Sequence, residues 1–120
     1  MAFNDAMWSR YPIGQDRKLM DVTTGEPVRR NIFWQAGPGK SPGRAADTIE
    51  ALQRRGMISL VCNVAVQNWG RSLANDLLLA ADDVVRDLKA NLVPGAILVP
   101  SGIYALIRAQ NAGGAYMPGT

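Results

Sequence analysis

The chain has 120 residues, enough for one hydrophobic core, and 48% of them are apolar. No apolar run approaches the roughly 18 residues of a membrane span. The first residues, Met1-Ala2-Phe3-Asn4-Asp5, lack a basic segment followed by an apolar one, so no signal peptide is expected. With no histidine and a single cysteine, the composition excludes an internal disulfide and an ordinary zinc site, and no cofactor is expected.

The net charge of +3 comes from the first 44 residues, which hold seven Lys/Arg against four Asp/Glu; residues 45–120 hold six of each. The basic residues are scattered, with Arg29-Arg30 a notable pair. No recognition-helix or RNA-binding motif accompanies them, so no nucleic-acid partner is expected.

Residues 1–44 are punctuated by Pro12, Gly14, Gly25, Pro27, Gly37, Pro38, Gly39, Pro42 and Gly43, too densely for long elements. They read as an irregular arm. Within it, residues 5–11 suggest a helical turn, residues 21–25 a turn closed by Asp21, and residues 32–34 a short extended segment. Trp8, Tyr11, Phe33 and Trp34 are expected to pin the arm to the core or to fill a subunit interface. Gly37-Pro38-Gly39-Lys40-Ser41 resembles a phosphate loop only superficially: the glycine spacing is wrong and Pro42 obstructs a helix start. A plain turn is the better reading.

Residues 45–120 read as a regular α/β core. A helix over 45–55 places Ala45, Ile49 and Leu52 on one face and stops at Gly56. Residues 57–62 read as a strand buried on both faces, as in a parallel sheet. A helix from Val64 to about Leu79 is expected to be interrupted or kinked at Gly70. Asp82 or Asp83 caps the next helix, with Val84, Val85 and Leu88 inward. After the Pro94-Gly95 turn come a strand over 96–99 and a helix over 102–112. Ser101 caps that helix, whose face is marked by Ile103, Leu106, Ile107 and Gln110. A last short strand is expected over 115–117. This alternation implies a parallel, or mostly parallel, sheet with flanking helices.

Cys62 stands where a strand ends and a helix begins, the edge at which open α/β sheets place their chemistry. Helix-start amides favour thiolate over thiol. Without an imidazole in the chain, activation of this sulfur must come from backbone or from Lys/Arg. Asn63, the following amides and Arg71 are the candidates. The competing reading is that Cys62 is a small buried hydrophobe. Ser101-Gly102 offers amides to an anion, or simply caps a helix and packs closely. Asp82-Asp83 reads as a helix-cap pair rather than a catalytic dyad, since adjacent residues do not face each other.

The run Met57-Ile58-Ser59-Leu60-Val61-Cys62-Asn63-Val64-Ala65-Val66, then Pro94-Gly95 to Val99-Pro100-Ser101-Gly102, Arg108-Ala109-Gln110 and Gly113-Gly114-Ala115-Tyr116, resembles the DsrE/DsrF-like family of sulfur-relay proteins. The likeness covers about residues 45–117. Residues 1–44, with Trp8, Tyr11-Pro12-Ile13-Gly14, Asp21 to Pro27 and Arg30-Asn31, resemble the insertion of a longer, largely uncharacterised branch. The resemblance implies a three-layer DsrE-like fold, a persulfide carried on Cys62, a sulfur-relay partner, and assembly into trimers or hexamers. Asn63, Ser101 and Gly102 would contact the ligand. The family's first β-α-β unit has no counterpart in this chain, so either the product is truncated or a partner chain supplies that part of the sheet. A non-catalytic interaction module, or a binder of a small anion, is the alternative of another class.

Overall fold

A computed structural model describes residues 1–37 and 44–118; the Lys40-Ser41 turn lies outside the described residues. The elements follow in the order α1 (Asp5–Arg10), α2 (Ile13–Asp16), a 3₁₀ turn (Ala45–Asp47), α3 (Ile49–Arg54), β1 (Leu60–Cys62), α4 (Asn63–Asp76), α5 (Ala81–Ala90), β2 (Ile97–Val99) and α6 (Gly102–Asn111). The chain is therefore mixed α/β.

Local chemistry sets most helix starts. Asn4 Oδ1 accepts from the Met7 N–H at 3.3 Å and begins α1, the turn expected over 5–11. The helix expected over 45–55 is broken by Thr48. Its extended backbone separates the 3₁₀ turn from α3, and its hydroxyl caps α3 through the Ala51 N–H at 3.3 Å. α5 begins at Ala81 with no side-chain cap, so Asp82 and Asp83 occupy its first turn and complement the helix dipole. Val84 and Leu88 are buried as anticipated. α4 runs through Gly70 without interruption. A Cβ there would stand 2.8 Å from Val85 Cγ2 and 3.3 Å from Leu88 Cδ1, so the glycine is the notch into which α5 packs.

The two strands pair in parallel, with Leu60 opposite Ile97, Val61 opposite Leu98 and Cys62 opposite Val99. Both are shorter than expected, and among the described residues they are the whole sheet. Val61 is buried, but Leu60 and Ile97 are half exposed, so the strands are not covered on both faces. The third strand does not form. After Gly113 adopts φ 95°, the Gly114 N–H returns to the Ala109 carbonyl at 2.9 Å and closes the end of α6; residues 115–118 pair with no strand.

The N-terminal residues supply much of the core. Phe3, Met7, Trp8, Tyr11, Ile13, Val28 and Ile32 are buried together with Val61, Val66, Leu73, Ala74, Val84 and Leu88. Residues 32–34 form a turn, not an extended segment. Asn31 beside it is buried, and its amide donates to the carbonyls of Met1 and Phe3, both at 2.8 Å. Buried polar atoms require such partners, and here they tie two parts of the arm together. Phe3 also bridges to Leu92 and stacks on Trp69 with ring centres 5.5 Å apart, which brings the arm to the mouth of the strand pair. The turn at Asp21 forms as expected, with its carboxylate accepting from the Thr23 N–H at 2.8 Å and from Arg30 at 2.6 Å.

Candidate functional site

Cys62 is the last residue of β1 and the N-cap of α4. One strand over, β2 ends opposite it at Val99, and the chain turns through Ser101 into α6. Two helix N-termini therefore open beside one sulfur. Parallel pairing makes this unavoidable: in-register strands that run the same way deliver their outgoing helices to the same edge.

The thiol is half-buried. As a neutral group it makes no cap hydrogen bond to α4. The backbone N–H groups still hold its pKa below the ordinary thiol value. Ala65 contributes most, then Gly102; partial burial opposes them, and Val64 adds to them. Val64 and Ala65 are the second and third residues of α4, the donors that an N-cap oxygen would normally engage. Here sulfur stands in the position of that oxygen. All three donors are backbone groups, as a chain without histidine requires.

A shallow cleft of about 210 Å³ lies alongside, lined by Phe3, Arg17, Cys62, Ala65 and Trp69 among others. Arg17 lies over the Trp69 ring, 5.8 Å from its centre, so a cation borders the cleft without reaching the sulfur. The cleft has room for a small anionic group next to a thiolate.

The residues expected at the site separate on inspection. Gly102 belongs to it, through its N–H and through contact with the cysteine. Ser101 is the N-cap of α6, its hydroxyl accepting from the Tyr104 N–H at 3.4 Å. Asn63 follows Cys62 directly; its Oδ1 is shielded from solvent and has no hydrogen-bond partner among the described residues. Arg71 turns to Gln67 at 3.3 Å on the exposed side of α4 and does not act on the thiol. Asp83 pairs with Arg86 at 3.1 Å, as a surface first-turn carboxylate does.

Sequence reasoning missed Phe3, Arg17 and Trp69, whereas the Val64 and Ala65 amides are among those expected after Asn63. Phe3 and Arg17 come from the arm and reach the cysteine only through folding. Among the described residues no group of three or more His, Cys, Asp or Glu side chains could hold a metal ion, and no helix is long and apolar enough to cross a membrane. No family model, curated protein or solved structure matches the chain.

Proposed function

We propose that this chain is a DsrE/DsrF-like domain that carries sulfane sulfur as a persulfide on Cys62. The observation that carries the reading is the place of Cys62 at the start of α4 with Gly102, the first residue of α6, packed against its sulfur, where the Ala65, Gly102 and Val64 amides lower the thiol pKa. Also in its support, the cysteine ends one parallel strand, while the Val-Pro-Ser-Gly turn of the resemblance ends the other and starts α6 beside it.

The chemistry needs no oxidant. The Cys62 thiolate attacks the outer sulfur of a donor persulfide, R–S–SH. The donor's S–S bond breaks as the new one forms, leaving Cys62–S–SH and R–S⁻, which takes a proton from solvent. Passing the sulfur to an acceptor thiolate on a relay partner is the same exchange in reverse. Amide donors suit this role because they stabilise negative sulfur in both the loaded and the unloaded state without giving up a proton. The cleft between Phe3, Arg17 and Trp69 is where the donor's remainder would lie.

Incubation with a low-molecular-weight persulfide, followed by intact mass spectrometry, tests the proposal. The expected result is a gain of one sulfur atom on the wild type that cyanide removes and that Cys62→Ser abolishes. An unchanged mass, or an adduct that survives in Cys62→Ser, would overturn it. A second reading, a non-catalytic interaction module, draws on the exposed apolar surface of α6.

A further inference from the structure

A cavity of about 340 Å³ adjoins the cleft at Cys62, and Phe3, Arg17 and Trp69 line both. That volume lies in the range of small-molecule sites. Its walls are two aromatic pairs. Phe3 stacks on Trp69 with ring centres 5.5 Å apart, and Trp8 is tilted against Phe33 at 6.4 Å. Ile13 and Leu19 extend the apolar lining. Phe3, Trp8 and Ile13 belong to the buried core, with Leu19, Phe33 and Trp69 packed against it. The walls are therefore held by packing, and an occupant need not order them on binding.

Trp8 supplies a second observation. It is fully buried, yet its indole N–H has no hydrogen-bond partner among the described residues. Buried donors are nearly always paired, so a lone one on a ring that lines a cavity points to an acceptor brought by an occupant.

Charge decides which kind of occupant fits. An aromatic cage suits a quaternary cation as well as a flat ring. Here Arg17 already lies over Trp69, 5.8 Å from the ring centre, and it is the one charged side chain among the described residues that line the cavity. A fixed cation repels a second one and attracts an anion. Among the described residues the carboxylate partner of Arg17 is Asp16, the preceding residue, 3.4 Å from Nε, and both side chains are exposed. Such a pair is weak, so a ligand carboxylate can compete for the guanidinium.

We propose that this cavity binds a small aromatic carboxylate, its ring between the two aromatic pairs and its carboxylate on Arg17. Because Arg17 also borders the cleft, the charged end lies on the Cys62 side. The inference goes beyond sulfur carriage and does not depend on it, since Cys62 is not part of the cavity wall.

Titration of the isotope-labelled full chain with hydrocinnamate, followed by nuclear magnetic resonance, tests it. The three tryptophans report separately through their indole N–H signals, assigned with single Trp→Phe variants. The Trp8 and Trp69 signals should move along one saturation curve, and that of Trp34, outside the lining, should move least. Hydrocinnamide, the same shape without the charge, should bind about tenfold more weakly or worse. Arg17→Gln should weaken the acid by the same factor and leave the amide unchanged, whereas damage to the aromatic walls would weaken both alike. The comparison of acid with amide needs no variant and stands if Arg17→Gln fails to fold. Cys62→Ser should bind the acid as the wild type does, which keeps this result separate from that of the persulfide experiment.

An absence of saturation by about 10 mM acid would overturn the proposal. So would equal affinity for acid and amide, an undiminished affinity in folded Arg17→Gln, or loss of binding in Cys62→Ser. A shift of Trp8 with Trp69 unmoved would also overturn it, by placing the acid in the neighbouring cavity that Trp8 lines with Tyr11 and Arg29.

Discussion

A methyl group built on Gly102 would stand 3.2 Å from Cβ and 3.5 Å from Sγ of Cys62. The start of α6 therefore sits directly against the cysteine, close enough that its first amide acts on the sulfur. Glycine is required by proximity at this position, since its backbone is not in the left-handed region.

Gly102→Ala should push the cysteine away by a few tenths of an ångström and weaken that amide's hold. The thiol pKa should rise toward its ordinary value, with overpacking costing about 1 kcal/mol of stability. Gly102→Pro should raise the pKa too, since proline suits the first helical position but deletes the N–H. The rate of alkylation by iodoacetamide as a function of pH reads both. An unchanged midpoint in the proline variant would remove α6 from the site.

Gly14 meets backbone rather than side chain. A Cβ there would lie 2.1 Å from the Val28 carbonyl oxygen and 2.9 Å from its nitrogen. Val28 cannot yield, because its N–H is bonded to the Leu19 carbonyl at 3.0 Å and its side chain is buried. Gly14→Ala should cost about 3 kcal/mol or more. Gly25 has φ 72° and open space around it, so Gly25→Ala should cost only about 1 kcal/mol of backbone strain. Urea midpoints of the two variants should differ accordingly. Near-equal midpoints would mean that the first 37 residues are not packed as described.

Tyr11 and Asp87 tie the arm to α5 and give the fold a signature at alkaline pH. The phenol donates to Asp87 Oδ2 at 2.7 Å, and Arg10 reaches the same oxygen at 2.6 Å. Burial first, and then the bond to a carboxylate, pushes the Tyr11 pKa up to about 12. A phenol raised in this way stabilises the fold fully below its unfolded pKa of about 10. That contribution disappears as pH rises through about 12. Tyr11→Phe should cost about 1.5–3 kcal/mol near neutrality, the value of a hydrogen bond to a charged group. It should also flatten the decline between about pH 10 and 12. Parallel curves for the two proteins would contradict the buried bond.

Much of the fold was legible because its causes are local. Ser101 announces a helix start by side-chain chemistry a few residues long, and Gly56 and Gly113 announce ends; Asn4 and Thr48 cap by the same chemistry, but neither cap was anticipated, and Thr48 divides the helix expected over 45–55. Within the candidate site, Cys62 and Gly102 could be read as strand-to-helix junctions, and their meeting follows once the strands are parallel. Ser101 shows the limit: an oxygen at a helix start looks the same whether it awaits a ligand or caps its own backbone.

The order of helices and strands from α3 to α6, the thiol at a junction and the lack of any imidazole were settled by the amino acids themselves, since each rests on neighbours within one or two turns of chain. Folding alone decided that Phe3 and Arg17 border that thiol, that Gly14 and Gly70 are contact points rather than breaks, and that α6 stays bare. Those outcomes depend on the shapes of surfaces meeting across tens of residues. Periodicity can say that a side chain is apolar, but not whether this chain has anything to lay over it.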